Sequence, residues 1–162
     1  MIEELNNAIV GALQGLKVSA LGIAEPIIVT NEDETEMPAI VLSDGECVSV
    51  LDDESDICFY HKLNKKTYQR ATNKGYGDKP SLQATYDMSL VVYGFRSKIS
   101  AIEAEKRITA SIATMCDVGT VEFNRSTVFY SEFSGIQFFL QPNVFLFRVN
   151  YTQKKSLNNC DY

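Results

Sequence analysis

The chain has 162 residues, 45% of them hydrophobic and 22% charged, which suits one folded domain and excludes both a disordered segment and a mini-protein that needs disulfide or metal staples. A formal net charge of −6 disfavours bulk nucleic-acid binding, and no apolar run approaches the ~18 residues of a membrane span, so no membrane partner is expected. The opening MIEELNNAIVGALQGL carries acids where a secretory signal carries Lys or Arg, so the chain is expected in a cytosol, with Cys47, Cys58, Cys116 and Cys160 reduced and lacking zinc-ligand spacing.

Ile2, Leu5, Ile9, Leu13 and Leu16 recur at steps of three and four, with Ala8 and Ala12 on the same face, and predict an amphipathic N-terminal helix that Gly15 ends. Pro26–Thr30 and Pro38–Leu42 follow as short strands around the acidic loop NEDETE, and Cys47, Val48 and Val50 as a third after the Ser43-Asp44-Gly45 turn. Ile57 to Leu63 predicts a fourth strand. The next segment, residues 64–80, has no apolar period and reads as a long loop or a projecting hairpin inserted in a single domain, 1–153. Gln83–Phe95 alternates most clearly, with Tyr86, Met88, Leu90 and Val92 on one face. Ser100 and Glu103 have capping-box spacing, so a second helix is expected from there to about Met115, burying Ala101, Ala104, Ile108, Ile112 and Met115. Strands are predicted over 118–124, 127–133 and 143–153, and residues 154–162 as a flexible tail or an arm that orders on a partner. The fold class is therefore α+β, a mostly antiparallel sheet packed by an N-terminal and a central helix.

Charge is laid out in blocks. Between Glu25 and Asp56 there are eleven acids and no Lys or Arg, whereas Cys58–Leu82 holds Lys62, Lys65, Lys66, Arg70, Lys74 and Lys79 against one acid, Asp78. Tyr68 and Tyr76 lie among those cations, as a non-specific nucleic-acid surface requires. The same residues also suit a solvated hairpin, or a contact with Glu32, Asp33, Glu34 and Glu36 of a neighbouring copy. From the residues alone the solvated hairpin is the favoured reading. No catalytic residues are assigned: His61 is the only histidine and faces away from Cys58 on a strand, which leaves it a surface or packing role. The acidic loops lack calcium-loop spacing, Gly75-Tyr76-Gly77 is followed by no helix, and neither a cofactor nor a metal is expected.

The order of elements, with MPAIVL at 37–42, YDMSLVVYGF at 86–95 followed by SKISAIEAEKRI, and the late NVFLFRVNYT, resembles the phage tail-terminator or tail-completion family. The resemblance implies a virion protein without enzymatic activity, assembled in the host cytoplasm as a homo-oligomeric ring around the DNA path. Such rings are commonly hexameric, a dodecamer being the alternative, and portal, neck or tail proteins would be the other partners. Segment 64–80 departs from a minimal member and leaves the tail end, the neck and the short tail of a podovirus-like particle as positions; in such a ring a contact of the basic segment with the acidic face of the next subunit is slightly favoured over one with DNA. A small nucleic-acid-binding module and the ring adaptor of a phage-like contractile injection machine are the alternative readings.

Overall fold

The computed structural model describes residues 2–49, 54–71, 81–123, 128, 132–133 and 142–157. Helix α1 (Ile2–Ala12) is followed by strands β1 (Val18–Thr30), β2 (Glu36–Leu42), β3 (Cys47–Ser49), β4 (Ile57–Ala71) and β5 (Ser81–Phe95), then by helix α2 (Ala101–Ala113) and strands β6 (Asp117–Glu122) and β7 (Val144–Leu157). The strands form one seven-stranded sheet in the order β3-β2-β1-β4-β5-β7-β6, in which only β1 and β4 run parallel. The α+β class and both helices are those expected from the sequence.

Each helix forms where its apolar stripe meets the sheet. Leu5, Ile9 and Leu13 of the first helical segment and Ala104, Ile108 and Ile112 of α2 are buried together with Phe59, Leu90, Val92, Phe147 and Val149 on one face. Fully burying a Leu, Ile or Phe side chain stabilises by about 1.5–3 kcal/mol, so this face anchors both helices. Gly15, at φ +88°, stops the first segment in a conformation that costs glycine nothing. Ser100 caps α2 by accepting from the Glu103 amide at 3.1 Å, while the Glu103 carboxylate pairs with Arg107 at 3.0 Å instead of reaching back. Met115, expected on the buried stripe, is 41% exposed because the helix has ended at Ala113.

The opposite face buries Ala24, Ile40, Cys58, Tyr60, Val91, Tyr93 and Leu146 under Val128 and Phe133. The expected strand over 127–133 is not extended at the positions described: Val128 and Glu132 are helical. Gly94 in β5 lies where the first face is tightest, since a Cβ there would come within 2.7 Å of the Phe145 ring and 3.2 Å of the Asp56 carbonyl.

Three boundaries differ from the sequence reading. β1 begins at Val18 rather than Pro26. Its first half pairs with β4 up to Ile23↔His61, and from Ala24 it pairs only with β2, so it bends from one partner to the other. β4 runs to Ala71 and β5 starts at Ser81, so residues 64–71 are a strand of a long hairpin and not a loop. β7 continues through Lys154, Lys155 and Ser156 to Leu157, which makes the first four residues of the expected tail part of the sheet; residues 158–162 lie outside the described residues.

Candidate interaction surface on the sheet extension

Past Leu63 every described side chain of β4 from Asn64 to Arg70 is exposed, yet the backbone ladder goes on. Arg70 pairs with Leu82 and Leu82 with Leu157, so β4, β5 and β7 continue as a three-stranded arm. At about 3.3 Å per residue it reaches roughly 25 Å beyond the Leu63↔Met88 pair. A bulge between Leu63 and Lys65 inserts Asn64, and one extra residue exchanges the faces of everything after it. The cross-strand partners then place Lys66, Tyr68 and Arg70 on the helix-side face with Tyr86, Ala84 and Lys155, and leave Lys65 opposite Asp87 on the other.

The helix-side face combines cations and rings. Lys66 Nζ lies 4.9 Å from the centre of the Tyr68 ring and 5.2 Å from that of Tyr86, and its contact with Tyr68 holds the ammonium above its ordinary pKa. Tyr68 is half exposed. Lys65, Lys66, Arg70, Lys154 and Lys155 occupy the two outer strands, the central strand β5 carries no Lys or Arg, and the only acid among the arm's described residues is Asp87. None of these five cations makes an ion pair among the described residues. Lys154 and Lys155 were hidden from the sequence reading by their place in a segment whose alternation fades. Lys74 and Lys79 lie outside the described residues.

Lys62 belongs elsewhere. It sits at the base of the arm on the face away from the helices, 3.5 Å from the fully buried carboxylate of Glu132. Arg148 Nη1 donates to the same carboxylate at 3.1 Å and Nη2 to Glu122 at 2.7 Å, and the Tyr60 hydroxyl donates to Glu132 at 3.1 Å. Burial, and then the Glu132 charge, push the Tyr60 phenol far above its usual pKa. Glu132 is thus a clamp holding its segment to β4 and β7, a role visible only once residues 60, 62, 122 and 148 meet.

The acidic partner residues cap the β1–β2 hairpin. Asn31 and Thr35 close the turn by a backbone bond of 2.9 Å, and Glu34 adopts φ +65° within it. Asp33 accepts from the Thr35 hydroxyl and from its amide, which lowers the Asp33 pKa and ties that acid to the turn itself. Glu32, Glu34 and Glu36 are exposed. Because β1 and β4 are parallel, this turn and the basic arm project from the same end of the sheet.

His61 is fully buried on the helix side. Its ring nitrogens bond the Tyr151 hydroxyl at 2.6 Å and Asn6 Oδ1 at 2.5 Å, and desolvation lowers its pKa to about 4, so it is neutral at pH 7. It links the first helix to β7. On the other face Asn64 donates to Ser89 Oγ and Ser89 to Asn150 Oδ1, both at 2.7 Å, beside an open shelf of about 340 Å³ that Asp87, Arg148 and Thr152 also line. Ser89 and His61 lie on opposite faces of the sheet, so the histidine is not placed to activate that hydroxyl. Among the described residues no group of three His, Cys, Asp or Glu side chains could hold a metal, and no helix is long and apolar enough to cross a membrane.

No protein-family model matches the chain, and no curated protein matches it.

Proposed function

We propose that the chain is a structural subunit of a bacteriophage, forming a homo-oligomeric ring in the tail or neck around the DNA path, and that it performs no catalysis. The virion is then its place of action, after assembly in the host cytoplasm. The observation that carries this reading is the arm. A ribbon of β4, β5 and β7 about 25 Å long buries little apolar surface of its own and carries five cations unpaired among the described residues. An isolated chain gains little from such an element, whereas an assembly that receives it gains both backbone contact and charge. The resemblance in element order to tail-terminator proteins supports the same reading.

Electron microscopy of the concentrated protein and peptide mapping of purified particles from a host that carries the gene test it. Rings with a central opening and peptides of this chain in the particles are expected. A protein that forms no ring under any condition and is missing from the particles overturns the proposal.

A further inference from the structure

We propose that the basic arm of one copy docks on the acidic β1–β2 turn of a second copy, head to tail. The inference rests on the ring reading and names the contact that closes the ring. Three observations lead to it.

The first is that one copy keeps its own opposite charges apart. β1 and β4 are neighbours only as far as Ile23↔His61; thereafter β1 leaves with β2. Thr30 lies seven residues past Ile23 and Arg70 nine past His61, so turn and arm reach similar heights, roughly 20–30 Å beyond the divergence. Beside β1 past the divergence lies a cleft of about 290 Å³ lined by Pro26, Ile27, Ile28, Glu132 and Phe133. Among the described residues no ion pair joins the arm cations to Glu32, Glu34 or Glu36.

The second is lateral order. The sheet runs from β3 and β2 at one side to β7 and β6 at the other, so the acidic turn lies toward one flank and the arm toward the opposite one. Copies set side by side with their arms parallel bring the arm of each against the turn of the next. Such a heterologous contact leaves one arm and one turn free on every open row, and closure into a ring satisfies both.

The third is which strands carry the charge. β6 begins beside Thr152, so among the described residues no strand pairs with the outer edge of β7 past that point, and Lys154 and Lys155 stand exposed on that flank. Among the described residues β3 pairs with β2 at Ala39, Ile40 and Val41, and Glu36 is exposed at the turn end of β2. Lysines on open edges also prevent wrong strand pairing. That role alone explains no acid on the facing flank; complementary patches explain both, and they set orientation and register.

The experiment exchanges the charges. One variant carries Lys66→Glu, Arg70→Glu, Lys154→Glu and Lys155→Glu; a second carries Glu32→Lys, Glu34→Lys and Glu36→Lys, leaving Asp33 to hold the turn. Circular dichroism melts establish that both fold. Sedimentation velocity is then run on each alone, on the equimolar mixture and on wild type, with anisotropy of a short DNA duplex measured in parallel. Each variant alone is expected to associate at least about tenfold more weakly than wild type, because like charges then face each other, and the mixture to regain assembly, because each arm finds an opposite turn. Assembly of either variant at wild-type strength, or a mixture that does not recover, overturns the docking. If the arm variant loses DNA affinity while assembling normally, the arm belongs to nucleic acid and the ring survives without this contact. If wild type itself never assembles, docking and ring fall together.

Discussion

Glu132→Ala is expected to destabilise the domain by about 2–4 kcal/mol. The carboxylate is fully buried and receives the Tyr60 hydroxyl, Arg148 Nη1 and Lys62 Nζ within 3.5 Å. Removing one member of a buried ion pair commonly costs about 3–5 kcal/mol, since its partner is left charged and desolvated. Here the loss is smaller at the cationic side: Arg148 keeps Glu122 at 2.7 Å, and the Lys62 side chain is 23% exposed and can turn to water. The Tyr60 hydroxyl is left without its acceptor, at about 1–3 kcal/mol. For a domain of this size, each kcal/mol moves the melting temperature by roughly 2–4 °C, so the variant should melt about 4–16 °C early. Glu132→Gln, which preserves volume and an acceptor for Tyr60, should lose less. A double-mutant cycle with Arg148→Ala in urea isolates the pair, with a coupling of about 1–3 kcal/mol expected. A Glu132→Ala protein within about 0.5 kcal/mol of wild type would refute the clamp, because a surface substitution does no more than that.

Leu90→Asp should leave the domain unfolded, since an unpaired carboxylate at the centre of β5 costs several kcal/mol against a total stability of about 5–15; Lys66→Glu, on the exposed arm, should melt as wild type, and circular dichroism compares them. Gly94→Ala should cost about 1–3 kcal/mol by forcing the buried Phe145 ring aside, read from the urea midpoint; an unchanged midpoint would mean that the ring moves freely. His61 should make stability depend on acid. Its native pKa of about 4 lies below the unfolded value near 6.5, so between these pH values the unfolded chain binds a proton that the native one does not, and stability falls as pH drops through that window by roughly 2–4 kcal/mol. His61→Gln should show a flatter fall over the same range in pH-dependent urea unfolding, and an identical slope would exclude the histidine as its source.

What was legible in the sequence follows from periodicity. Leu5, Ile9 and Leu13, and Ala104, Ile108 and Ile112, repeat with the helical period and are buried, and Met88, Leu90 and Val92 alternate along the strand they occupy. The arm was half legible. Its charge block stood out, but Asn64 shifts the phase of β4, and the residues beyond it are Lys, Thr, Gln and Arg around a single Tyr68, so no apolar period marks a strand. Lys154 to Leu157 are extended only because β5 offers them a ladder, which is tertiary information. The same holds for β1: Val18 to Ile23 lie against β4, a pairing across almost forty positions that local pattern does not encode. Lys62 and Glu132 show the limit for sites. A lysine in a basic run reads as free until a carboxylate from elsewhere in the chain is placed against it.

Native mass spectrometry of the wild-type protein over a wide concentration series, at low and high salt, tests the ring most directly. The free protein should be monomeric or weakly associated when dilute and should pass, as concentration rises, to one closed species, a hexamer in the simplest case. Higher salt should weaken that passage, because the docking charges are exposed and screened. A stable two-fold dimer at every concentration would contradict this reading, because a contact that satisfies both copies at once leaves neither an arm nor a turn free to extend the assembly.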